Sequence, residues 1–100
     1  MAAENEGSIL TSIKGPYTVE HNTQNDYITF IPRDHEHKQT LIWLHGLGDT
    51  ARGFEDLFSD TSLGIVPPTC KIVLPTAPIR MYGGTRMTSW YNKKGRKRYD

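Results

Sequence analysis

The chain has 100 residues, of which 36% are apolar and 23% charged, with a net charge of +1 and a single cysteine. That balance suits one small globular domain; it excludes a chain disordered throughout, an internal disulfide and a cysteine-only zinc site. The longest apolar run, Leu41 to Leu44, is far short of the roughly 20 residues that span a bilayer, and the acidic start lacks the order of a signal peptide, so no transmembrane segment and a reducing, cytoplasmic setting are expected.

The charge is unevenly placed. Residues 1–60 hold four basic and ten acidic residues, whereas residues 61–99 hold eight basic residues and no acid. Such asymmetry points either to an anionic partner or to balancing acids in sequence not present here.

In chain order, residues 1–15 are polar with little period and read as a loose leader, with Ile9, Leu10 and Ile13 forming a short turn before Gly15-Pro16. Tyr17 to Glu20 is strand-like, Asn22 to Asp26 supplies turn residues, and Tyr27 to Ile31 is a second strand closed by Pro32. Two such strands predict an antiparallel start to a sheet. Arg33 to Gln39 is a polar loop. Thr40 to Leu44 and Lys71 to Leu74 are continuous apolar runs, the pattern of parallel strands covered on both faces. The about 26 residues between them suffice for a crossover helix. Phe54, Leu57 and Phe58 recur at helical spacing there, Asp49 or Thr50 is placed to cap the helix, and Glu55 and Asp56 favour its positive end. From Thr76 to Trp90, Pro78 and Gly83-Gly84 predict a loop, and Lys93 to Arg98 is a basic run. The fold class is thus α/β: an antiparallel start followed by a βαβ unit. The expected division is a leader over 1–15, a main body over 16–92, and a basic tail or truncated loop over 93–100.

A parallel strand that ends in His45-Gly46-Leu47-Gly48-Asp49 and feeds a helix collects backbone N–H groups at one sheet edge. Such donors suit a developing negative oxygen, and each typically contributes about 3–4 kcal/mol to acyl transfer. The pattern alone also fits a glycine-rich turn in any doubly wound fold. A phosphate loop fits less well, since neither Gly-Lys-Ser/Thr nor GxGxxG is present.

Leu44 to Thr50, Phe54, Leu74-Pro75-Thr76-Ala77-Pro78, Gly83-Gly84 and Met87-Thr88-Ser89-Trp90-Tyr91 follow one another in this order. Together they resemble the acyl-protein thioesterase/carboxylesterase family, the small lysophospholipase-like α/β-hydrolases, over about half of the chain. The resemblance implies the N-terminal part of an α/β-hydrolase fold, a serine mechanism on carboxylic esters or acyl thioesters, and no cofactor. Leu47 would donate its backbone N–H to the oxyanion, with Gly46 and Gly48 shaping the turn. His45 would be structural, because the family's base comes last in chain order. Trp90 and Met87 would line the substrate groove. Asn92 departs from the family's usual Asp. No Gly-x-Ser-x-Gly occurs in the 100 residues, and Ser8, Ser12, Ser59, Ser62 and Ser89 lie on no strand-turn-helix elbow, so no catalytic triad residue is assigned here.

Asp34-His35-Glu36-His37 has metal-ligand chemistry but reads as an exposed hairpin loop, so no metal site is expected. The Lys93 to Arg98 run is a weak polyanion candidate, with a solvated loop preferred and no nucleic acid expected. Cys70 reads as an inert core thiol. The alternative function is a non-catalytic truncated fragment or regulatory binding module without the triad. An isolated fragment with an uncovered sheet face and edge is expected to be marginally stable.

Overall fold

The computed structural model describes residues 9–91. Strands β1 (Ile9–Lys14), β2 (Tyr17–Asn22), β3 (Tyr27–Pro32), β4 (Gln39–Ile42) and β5 (Cys70–Leu74) form one sheet in the order β1-β2-β3-β5-β4. β1, β2 and β3 run antiparallel, β3 is antiparallel to β5, and β4 is parallel to β5. A mixed sheet of this kind, antiparallel at its start and ending in a parallel crossover, is the N-terminal part of an α/β-hydrolase fold. No helix among the described residues is long and apolar enough to cross a membrane.

The core follows from strand periodicity. In β2, Tyr17 and Val19 are buried, while the alternating Thr18 and Glu20 are not. Register then places Val19 opposite Phe30, and Phe30 opposite Ile72, so one face of three strands carries a continuous apolar row. Phe30, Ile28, Ile72 and Leu74 are completely enclosed. Helix α1 (Glu55–Ser59) covers that face through Phe58, whose ring lies 6.4 Å from Phe30, while Tyr17 meets Phe30 edge-on at 5.6 Å. Burial pushes the Tyr17 phenol above its ordinary pKa, and the neighbouring Cys70 adds to the rise. Cys70 itself is buried at the start of β5.

Four local expectations are corrected. Residues Ile9 to Lys14 are a full strand, each paired across to β2 from Asn22 back to Tyr17. Gly15-Pro16 is the two-residue hairpin turn between them, with Gly15 at φ +58°. Backbone pairing needs no buried side chain, and five of the six β1 residues are exposed, so apolar periodicity carries no trace of this strand.

The second correction concerns β4, which lies at the edge of the sheet, so its apolar run is not covered on both faces. Ile42 and Leu44 are 62% and 57% exposed. Third, the crossover begins with a 3-10 turn at Ala51–Phe54, and neither Asp49 nor Thr50 caps it by side chain. The Ala51 N–H instead donates to Thr76 Oγ1 at 2.7 Å, from a residue 25 positions away. Fourth, the segment expected as loop holds a hairpin, β6 (Ile79–Tyr82) and β7 (Thr85–Thr88). Gly83 and Gly84, at φ +60° and +84°, form its tight turn, because two left-handed residues match the twist of the flanking strands.

Candidate functional site

The ladder from β5 continues one residue past β4, since the Trp43 N–H donates to the Val73 carbonyl at 2.9 Å. Beyond it the chain leaves the sheet edge, and Gly46 to Asp49 close a β-turn through the Asp49 N–H and the Gly46 carbonyl at 3.1 Å. Gly48 has φ +83°, the value that a type II turn demands at its third residue and that only glycine adopts without strain.

His45, 4% exposed, anchors the start of this turn. Its Nε2 accepts the Ala77 N–H at 3.0 Å, which leaves the ring proton on Nδ1, facing the Gly46 carbonyl at 2.7 Å. Both ring nitrogens are therefore engaged. The Trp90 indole lies 4.8 Å from the imidazole, and its Nε1–H donates to the His45 carbonyl at 2.8 Å.

The far end of the turn is held by Thr88. Its carbonyl accepts the Gly48 N–H at 3.0 Å, and its hydroxyl donates to the Asp49 carbonyl at 2.6 Å. Asp49 in turn accepts the Thr50 N–H through Oδ1 at 2.8 Å. Thus the N–H groups of residues 48 to 51 all have protein acceptors, and the start of the crossover does not present a row of free donors. Leu47 differs. The residue is 51% exposed, and among the described residues its N–H, like that of Gly46 before it, has no protein acceptor. Gly46 has open space where a Cβ would stand.

The residues singled out in sequence are thereby partly gathered. His45, Gly46, Leu47, Gly48 and Trp90 share one end of the sheet. Met87 lies in β7 opposite Arg80 and is half-buried. Asn92 and Lys93 to Arg98 lie outside the described residues. His35, Glu36 and His37 are exposed, with His37 Nε2 2.7 Å from Thr40 Oγ1, and no group of three or more metal-ligating side chains occurs among the described residues.

A cleft of about 450 Å³ adjoins the turn, with Asp26, Thr50, Thr76, Pro78, Ile79 and Thr88 on its walls. A second, of about 350 Å³ and largely apolar, lies beside α1 between Tyr17, Leu57 and Val66, away from the turn. Sequence reasoning missed three contributors to the site: Thr76, the Ala77 amide and Thr88. Thr76 and Ala77 stand in Leu74 to Pro78, and Thr88 beside Trp90, yet residue type alone assigns none of them a partner.

Comparison with known proteins agrees with this architecture. The sequence profile of the phospholipase/carboxylesterase family matches residues 25–98. An acyl-protein thioesterase 1 of Yarrowia lipolytica is 36% identical over 67 residues, which make up 64% of this chain and 30% of that relative. The chain thus spans 30% of the length of the curated relative that it matches. No solved structure gives a significant match. The family profile covers most of the sheet together with the 45–49 turn and the hairpin that holds it, and the chain belongs to the phospholipase/carboxylesterase family.

Proposed function

We propose that these 100 residues are the N-terminal part of a serine hydrolase that cleaves carboxylic esters or acyl thioesters, and that they supply one oxyanion donor, the Leu47 N–H. The observation that carries this reading is the Leu47 N–H, on a half-exposed residue and without a protein acceptor, followed by N–H groups from Gly48 to Ala51 that are all engaged. The openness around Gly46 supports it, because a substrate carbonyl needs close approach to the backbone.

In the reaction, a serine from outside these residues attacks the acyl carbonyl, and its proton passes to a base that also lies outside them. The carbonyl oxygen becomes an oxyanion, held partly by Leu47, and collapse expels the alcohol or thiol to leave an acyl-enzyme. Water then attacks the acyl-enzyme, and the acid is released. His45 holds the turn and takes no proton, since its two nitrogens already serve Ala77 and Gly46. Trp90 and Met87 form part of the wall beside the acyl group.

Leu47→Pro tests the donor directly, because proline has no N–H. In the full-length protein, with a p-nitrophenyl ester and an acyl thioester as substrates, kcat should fall about 10²–10³-fold with KM little changed. Leu47→Ala keeps the amide and should retain activity. Equal turnover by Leu47→Pro and the unaltered protein would remove Leu47 from the mechanism, and no hydrolysis by the unaltered protein would remove the hydrolase reading.

A further inference from the structure

We propose that Thr88 is the positioning residue for Leu47, a latch that holds the 46–49 turn in place against the β6–β7 hairpin; this rests on the reading of Leu47 as a donor. Leu47 sits inside a turn closed by the Asp49 N–H and the Gly46 carbonyl, and the residues that follow it there are Gly48 and Asp49. The placement of the Leu47 N–H relative to the sheet therefore follows from where the turn is held, first of all at the Gly48 N–H.

Thr88 holds that N–H from outside the turn. One residue, 9% exposed, places its carbonyl on Gly48 N–H and its hydroxyl on the Asp49 carbonyl, so the hairpin end meets the turn at two points. The hydroxyl bond fixes Thr88 against Asp49, which keeps the Thr88 carbonyl within reach of Gly48. Water competes poorly at so enclosed a site. Thr88 is itself secured, because the next residue, Ser89, donates its N–H to the Pro78 carbonyl at 3.0 Å and accepts Arg80 Nε on its own carbonyl at 3.0 Å. Trp90 completes the arrangement on the His45 side. The latch therefore belongs to the hairpin, and residues 39 positions from the turn set its shape.

Amide hydrogen exchange by NMR on the full-length protein tests the latch without any need for turnover. Gly48 should be protected and Leu47 should not. Thr88→Val keeps the shape and removes the hydroxyl, and should speed Gly48 exchange up to about tenfold, the yield of one hydrogen bond. Thr88→Ser restores the hydroxyl and should return Gly48 to within about twofold of the unaltered chain. Val19 and Phe30 in the sheet serve as controls and should not change. If Thr88→Val disrupts the sheet, the scalar coupling across the Gly48 N–H to Thr88 carbonyl bond in the unaltered chain decides, and its absence overturns the proposal. So does an unchanged Gly48 rate in Thr88→Val, or an equal loss in the Val and Ser variants.

In the full-length hydrolase, Thr88→Val should lower kcat by about tenfold with KM unchanged, since a small misplacement of a donor acts on the transition state. Thr88→Ser should recover it. A protein with no hydrolysis at all fails the functional reading, while the exchange data still decide the latch. A fully active Thr88→Val alongside an inactive Leu47→Pro leaves the donor in place and overturns the latch.

Discussion

Phe30, Ile28, Ile72 and Leu74 keep their places because strand register stacks them into one enclosed row, and α1 presses Phe58 onto it. The His45–Asp49 turn has no such filling. Leu44 before it and Leu47 within it are more than half exposed, and its shape comes from directed hydrogen bonds to Ala77, Thr88 and Trp90. The core is specified by area and volume and tolerates no cavity. The turn is specified by donor and acceptor geometry, which leaves the Leu47 amide available while those of Gly48 and Asp49 are satisfied. A region that must hold shape and also expose backbone has to be built in the second way.

Substitutions can break or sharpen this contrast. The largest expected effect is in the core: Phe30→Ala should cost about 3–5 kcal/mol and abolish the cooperative urea transition of so small a chain. His45→Ala comes next. It leaves the buried Ala77 N–H without an acceptor, and the urea midpoint should drop by the equivalent of about 1–3 kcal/mol. A core variant milder than the turn variant would invert the assignment of forces.

Two glycine variants separate shape from access. Gly48→Ala places a side chain at φ +83° and should destabilise by about 1–2 kcal/mol. Gly46→Ala meets nothing within 4 Å, so its urea midpoint should not move. On the proposed reading it should still lower kcat/KM in the full-length protein, because the added methyl would fill space that the reading gives to a substrate carbonyl. Full activity in Gly46→Ala would argue against approach from that side.

The smallest effect near neutral pH belongs to Tyr17→Phe. The hydroxyl bond to the Pro67 carbonyl is long, 3.3 Å, and should contribute under about 1 kcal/mol. Alkaline pH enlarges it. Burial raises the phenol's folded pKa, so the unfolded chain ionises first, near pH 10. The protein keeps this contribution below about pH 10 and loses stability as pH rises through the folded value. Tyr17→Phe should remove that decline, which urea midpoints measured across pH 9 to about 11.5 would register.

Much of the fold was legible from residue pattern. The strands at Tyr17, Tyr27, Thr40 and Lys71 lie within about two residues of their observed bounds, and the helical spacing of Phe54, Leu57 and Phe58 marks the crossover. Two hairpins were not legible. β1 is mostly exposed and pairs through its backbone, so its side chains keep no record of a face. Gly83-Gly84 breaks a pattern whether the chain wanders or reverses tightly, and only pairing of Ile79 with Thr88 distinguishes the two.

The same division applies to the site. The sequence by itself determined that a glycine-flanked turn follows a parallel strand at His45, because glycine's freedom and the apolar run are properties of residues alone. It also carried the family, through the order of its motifs. Only the tertiary structure decided which amides of that turn are occupied. Ala77, Thr76 and Thr88 come to the turn from 25 to 39 residues away, through the sheet and the β6–β7 hairpin. Hydrogen bonds are short-ranged and directional, so a partner counts only once folding has brought it within about 3 Å, and no local pattern states which one that will be.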